Sequence, residues 1–216
     1  VARPRQTEQR DTRGAILAAG LDLFAERGFH GTSIRDIAKA VAISEASLYH
    51  HFASKELLLD AVLFEPDAHG RPAIAPPIPP PLQADTLAEL AHWLDQMLQL
   101  VLDRFADPNE VKRFRILLSD GLRLAAVGKI NYSDKMFAVR QVLLQLISDL
   151  QDRGMLRPGD AEHLAMEFIG PVMMWRHMLV LAPESVVVSQ RVEFARRHVR
   201  HFLRAASTHP ADVPGD

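Results

Sequence analysis

Apolar residues recur three and four positions apart along almost the whole chain, while alternating β-branched runs are nearly absent. A chain patterned this way has amphipathic helices to bury and no strands to pair, so it is expected to be all-α. The first segment, about 8–27, sets Leu17, Leu21 and Phe24 on one stripe, widened by Ile16 and Leu23, and stops at Gly28. Ser33 and Asp36 make an approximate capping box for a short helix whose inner side is Ile34, Ile37, Ala38 and Val41. After a break of three residues Ser44 caps a second short helix, 45–52, resting on Leu48 and Phe52, and Ser54 caps a helix to about Phe64.

Half of the 14 prolines fall between Pro66 and Pro81, a connector that cannot be helical and reads as extended. Beyond it, Thr86 and Glu89 start a helix to about Phe105, and Asp107, Pro108 and Glu110 start another. Three more are expected at about 133–154, 158–181 and 188–206, with Pro171 kinking the second of them.

Two short helices joined by three residues have the arithmetic of a helix-turn-helix, whose second helix enters the major groove. The outward positions of 45–52 are Ala46, Ser47, Tyr49 and His50, small or hydrogen-bonding groups suited to close approach to bases and phosphates. A merely solvated face would carry Lys and Glu. Total charge adds nothing: 25 Lys and Arg stand against 27 Asp and Glu, for a net charge of −2. Only the first 13 residues lean positive, so a case for DNA rests on geometry.

The stretch ILAAGLDLFAERGFHGTSIRDIAKAVAISEASLYHHFASKELLLDAVL resembles the DNA-binding region of the tetracycline-repressor family of bacterial transcription regulators. Phe24, Gly28, Thr32, Ile37, Ala38, Ser44, Leu48, Tyr49, Phe52 and Lys55 fall at that family's spacing. The resemblance implies an N-terminal three-helix helix-turn-helix domain, 1–54, followed by a helical-bundle ligand-binding and dimerisation domain, 55–216. It implies that Thr32 or Ser33, and Lys55, hold phosphates, while Ser44, Ala46, Ser47, Tyr49 and His50 face the groove. Two positions depart from the family. Ala42 stands where glycine is common, so either the turn is strained or it avoids left-handed geometry. Glu45 replaces a common Lys or Arg; it either accepts a hydrogen bond from cytosine N4 or relieves the helix dipole.

A family member works as a homodimer on a double-stranded DNA operator, under a small-molecule effector. Apolar stripes that either make the self-complementary dimer seam or pack within one subunit are Leu164, Phe168, Val172, Trp175 and Leu179, with Val192, Ala195, Val199 and Phe202. An apolar or amphipathic effector would meet Trp93, Met97, Met136, Phe137, Met173, Met174 and His177, with Arg115, Tyr132 and Arg140 as polar anchors. No metal, cofactor or catalytic residue is expected. His50 and His51 point about 100 degrees apart on a helix, no carboxylate stands beside His198 and His201 at ligand spacing, and no phosphate loop or nucleophile elbow occurs. The polar N-terminus and the lack of 18 consecutive apolar residues lead to the expectation of a cytoplasmic protein without a membrane partner, and zero cysteines fit a reducing compartment.

Overall fold

The computed structural model describes residues 6–66, 82, 84–126, 128, 133–183 and 190–215, with side chains for all of these except 6–11 and 133–139. The proline-rich connector, apart from Pro66, therefore lies outside the described residues. Among them the elements are helices α1 Gln6–Arg27, α2 Ile34–Ala40, α3 Glu45–His51, α4 Lys55–Phe64, α5 Leu87–Ala106, α6 Pro108–Ile116, α7 Leu122–Ala126, α8 Ser133–Asp152, α9 Ala161–Leu181 and α10 Arg191–Ala206. A π turn, Leu117–Gly121, joins α6 to α7. The only pairing of strand type among the described residues is one antiparallel bridge, Leu156 with Ser207.

Most of the caps stand where the side-chain chemistry puts them. Ser33 Oγ accepts from the Asp36 amide while Asp36 returns a carboxylate to the Ser33 amide, and Thr86 and Glu89 repeat the arrangement on α5. Ser44 and Ser54 accept from the amides of Ser47 and Leu57. Asp160 rather than Pro158 opens α9, because its carboxylate accepts from the amides of Glu162 and His163. The described helix α9 runs through Pro171 without ending.

The packing divides the chain differently from the expected boundary at 54. One unit comprises Val1–Ala75 and Pro108–Lys135; the other comprises Pro76–Asp107 and Met136–Asp216. In the first, α4 and α6 both lie along α1. Two polar ties explain why α6 belongs there: Lys112 Nζ reaches Asp22 Oδ1 at 2.6 Å, and Arg113 Nε donates to the Val62 carbonyl at 2.9 Å. Its core holds Ile16, Phe24, Ile37, Leu48, Leu58, Leu59, Leu63, Ile116 and Leu117, each almost inaccessible to water.

In the second unit α10 packs on α5, and α9 packs on both. The stripes expected to meet a partner are spent here. Leu164, Phe168, Val172 and Leu179 are buried, as are Ala195, Val199 and Phe202, and the rings of Phe168 and Phe202 meet at 5.0 Å. Trp175 is half-buried against Phe194, at 6.4 Å between ring centroids. Of the proposed interface residues only Val192 is exposed. The correction has a simple cause: three-four spacing reports that a face is covered, not which molecule covers it. The same unit contains the one described helix, α9, that is long and apolar enough to cross a membrane by length and composition. It is also packed on two neighbours and carries the buried Arg176 on its core side.

The turn between α2 and α3 resolves the question about Ala42, which has φ of +57°. Ile43 N donates to Ala38 O at 3.0 Å and Ala42 N to Lys39 O at 3.2 Å, the paired bonds of a Schellman ending, with alanine in the place that favours glycine. The left-handed side chain costs roughly 1–2 kcal/mol, and glycine returns some of that as unfolded-chain entropy. Ala42→Gly is therefore expected to raise the unfolding free energy by about 1 kcal/mol, measured as a higher urea midpoint at unchanged slope. A lower midpoint would contradict strain at this residue.

Candidate DNA-binding surface

The presentation of α2 and α3 is decided by the loop that precedes them. Gly28, at φ +73°, ends α1, and Phe29 turns back into the core with its ring 5.9 Å from that of Phe24. A loop that enters the core must find partners for its backbone groups. Thr32 supplies some: its hydroxyl lies 3.0 Å from both the Leu23 and Gly28 carbonyl oxygens. Lys55 supplies more, donating from Nζ to Phe29 O at 2.7 Å and Thr32 O at 2.8 Å, with the ammonium 4.2 Å from the centre of the Phe29 ring.

These contacts revise two expectations. Thr32 is 1% exposed and its hydroxyl faces inward, so its side chain is a loop fastener rather than a phosphate ligand. Lys55 is part-buried, and two of its three N–H donors are directed at backbone carbonyls instead of outward. Ser33 remains exposed at the start of α2. Its hydroxyl is 2.6 Å from Asp36 Oδ2, and that bond holds the Asp36 carboxyl below the ordinary carboxylate value. A depressed carboxyl stabilises the cap above its unfolded value and loses that effect as pH falls through the folded one.

On this base α3 sits with Leu48 fully buried beneath it. Ser44, Glu45, Ala46, Tyr49 and His50 are exposed and Ser47 is half-buried, so of the residues expected to meet DNA here Glu45, Ala46, Tyr49 and His50 lie on the side of α3 away from the core and Ser44 caps its start. Tyr49, 49% exposed, is the largest of them. Glu45 occupies the first turn, where its charge relieves the helix dipole. Arg35 and Lys39, which the motif spacing does not single out, are also exposed, on α2. A signal for them exists in the sequence: both are the polar positions opposite Ile34, Ile37 and Ala38. Arg13 is used otherwise, paired with Glu65 at 2.6 Å and laid over the Phe52 ring.

The residues expected to line an effector pocket fall in both units. Trp93, Met97, Met173 and His177 are half-buried in the second unit, and His177 Nδ1 lies 2.6 Å from Met173 O. Met174 is 63% exposed, which removes it from a pocket wall within the subunit. Arg140 is exposed and paired with Glu162 at 2.6 Å, and Arg115 is exposed in the first unit. Tyr132 and the side chains of Met136 and Phe137 lie outside the described residues. A cleft of about 690 Å³ follows α10 past Phe194, Arg197, His198 and His201; among the described residues that line it is none of those expected to meet the effector. His198 is fixed there by Phe168 O at 2.7 Å, and burial depresses its basicity.

Comparison with known proteins gives the kinship of the chain. Residues 16–62 match the family described as bacterial regulatory proteins, tetR family, and residues 92–206 match the AefR-like transcriptional repressor C-terminal domain. The transcriptional repressor KstR2 of Mycobacterium tuberculosis (strain H37Rv) is 51% identical over 184 residues, covering 83% of this chain and 86% of that protein. The regulator UidR of Escherichia coli (strain K12) is 29% identical over 154 residues, 71% and 73% of the two chains. Among solved structures, the ketosteroid transcriptional regulator KstR2 of M. tuberculosis superposes with a TM-score of 0.57 at 21% identity, over 91% of this chain and 95% of that one.

Lys55→Ala is expected to lower the unfolding free energy by about 2 kcal/mol, since two carbonyls lose a charged donor in a part-buried loop. Urea unfolding monitored beside Phe29 checks this. An unchanged midpoint would return Lys55 to a role on the DNA alone.

Proposed function

Because this chain belongs to the tetR family of bacterial regulatory proteins, we propose that it is a cytoplasmic repressor that holds a palindromic operator as a homodimer and is released by an apolar or amphipathic small molecule. That it is a DNA-binding transcriptional regulator follows from the family itself. The observation that carries the reading is α3: a helix seated on a fully buried Leu48 with Ser44, Ala46, Tyr49 and His50 turned outward. Short side chains let the helix approach the base edges, and tyrosine and histidine offer donors and acceptors to bases and phosphates. Arg35 and Lys39 on α2 add positive charge beside it.

A surface left apolar after folding supports the homodimer. At 100 degrees per residue, Met166, Met174 and Leu181 lie on the opposite side of α9 from Leu164, Phe168, Val172 and Leu179. They are 62%, 63% and 70% exposed, while the exposed polar side chains of α9, Glu162, His163 and Glu167, stand in its first two turns. Apolar side chains left exposed along a helix call for a second cover, and a second copy supplies it symmetrically. These residues replace the buried stripes as the proposed interface.

Support for the effector is chemical. Trp93, Met97 and Met173 offer polarizable, adaptable walls with His177 as a polar group among them. Structures of similar fold include a ketosteroid transcriptional regulator, a flavonoid-responsive regulator and a complex with triclosan.

Met174→Glu with Leu181→Glu is expected to turn the dimer into a monomer in sedimentation and to weaken DNA binding at least tenfold, with helix content unchanged; a dimer that persists would remove α9 from the interface. A ketosteroid, a flavonoid or triclosan that raises the melting temperature is expected to weaken DNA binding, and DNA must then weaken that compound by the same factor. Equal affinity of the compound for free and DNA-bound protein would contradict release by an effector.

A further inference from the structure

The helical stretch Pro108–Ala126 is interrupted once. At Leu117–Gly121 the backbone widens into a π turn, and the Leu122 amide bonds to Leu117 O, five residues back. Such a turn inserts one residue, so the residues downstream are rotated by about 100 degrees relative to an uninterrupted helix. Upstream of it, α6 is tied to α1 by Lys112 and Asp22, and to α4 by Arg113 and the Val62 carbonyl. At and beyond the turn, two side chains reach the α1–α2 loop: Asp120 Oδ2 accepts from the Phe29 amide at 2.9 Å, and Arg123 meets His30 Nε2. Ser119 Oγ lies 3.2 Å from both that carboxylate and the Ile116 carbonyl oxygen.

The fit around Asp120 is close. A Cβ on Gly28 would stand 3.2 Å from Asp120 Oδ2, at a backbone angle of φ +73° that already favours glycine. A Cβ on Gly121 would stand 2.6 Å from Leu117 Cδ1, so the missing side chain lets the π turn close over Leu117. Without the inserted residue, a helix held upstream by Lys112 and Arg113 would aim position 120 away from the loop.

We propose that Asp120 is a positioning residue for DNA binding: held on the Phe29 amide by the π turn, it fixes the loop from which α2 and α3 depart. It touches no DNA and acts only through that loop. The amide it holds belongs to the residue whose carbonyl is held by Lys55, so Phe29 is clamped on both of its backbone groups. The inference rests on the reading of α3 as the DNA-contacting helix.

The test uses the full-length protein and a duplex that the wild type selects from a random-sequence pool. Asp120→Ala is expected to bind that duplex about tenfold more weakly, the scale of one lost charged hydrogen bond. Asp120→Asn, whose Oδ1 still accepts from the amide, is expected to recover most of the loss. Hydrogen exchange at the Phe29 amide should accelerate in Asp120→Ala while the Ile16 and Phe24 amides of α1 stay protected. Gly121→Ala should weaken binding in the same direction, because its methyl group displaces Leu117 from the π turn. Wild-type affinity in Asp120→Ala, no recovery in Asp120→Asn, or acceleration throughout α1 would each overturn the positioning role. Wild-type affinity in Gly121→Ala would overturn the dependence on the π turn. Failure of the wild type to select any duplex would instead count against α3 as a DNA-contacting helix, and the exchange at Phe29 would still judge the clamp.

Discussion

Everything the first unit presents to a partner depends on the burial of Phe29. Turning that ring into the core stabilises the fold by about 1.5–3 kcal/mol, yet it drags loop backbone in with it. Loop carbonyls and amides removed from water without partners would cancel the gain. Thr32, Lys55 and Asp120 answer that problem from three directions, at distances of 2.7–3.0 Å. The consequence is mechanical as well as energetic. Ser33 begins α2 at the end of this loop, so the direction of the helix-turn-helix is inherited from contacts made by α1, α4 and the π turn.

That arrangement also explains why α6 packs with the elements of the helix-turn-helix unit although it comes after α5 in the chain. Lys112, Arg113 and Asp120 each find their partner in α1, α4 or the loop between α1 and α2. Chain order placed a boundary at 54, whereas packing gives α4 and α6 to the first unit. The strain at Ala42 has a related origin. A turn that is costly to form is retained where the neighbouring helices, held by Ile37, Ala38 and Leu48 in the core, leave it no alternative geometry.

What was legible in the sequence is what local chemistry decides. Ser33, Ser44, Ser54 and Thr86 announce helix starts through bonds to residues three positions on, and apolar spacing announces which sides of the helices are inward. Long-range partners were not legible. A lysine at the head of a helix reads as solvated or as a phosphate ligand, because the carbonyls of Phe29 and Thr32 lie 26 and 23 residues away and carry no side-chain signal. Thr32 misled in the same way, its acceptors being the main chain of α1 and its end. For α9 the difficulty was of another kind: with Met166, Met174 and Leu181 apolar as well as Leu164, Phe168, Val172 and Leu179, the pattern could not say which set faces the core and which faces out.

On the proposed function a clamped loop presents the outer face of α3 to the floor of the major groove. Guanine N7 lies on that floor, so methylation protection of a bound duplex reads that contact directly. Two protected patches are expected, their centres about 34–36 Å apart, one helical turn, for the two subunits, with protection lost in Tyr49→Ala. Binding that leaves every guanine N7 open to methylation, or protection unchanged in Tyr49→Ala, would contradict the proposed contact.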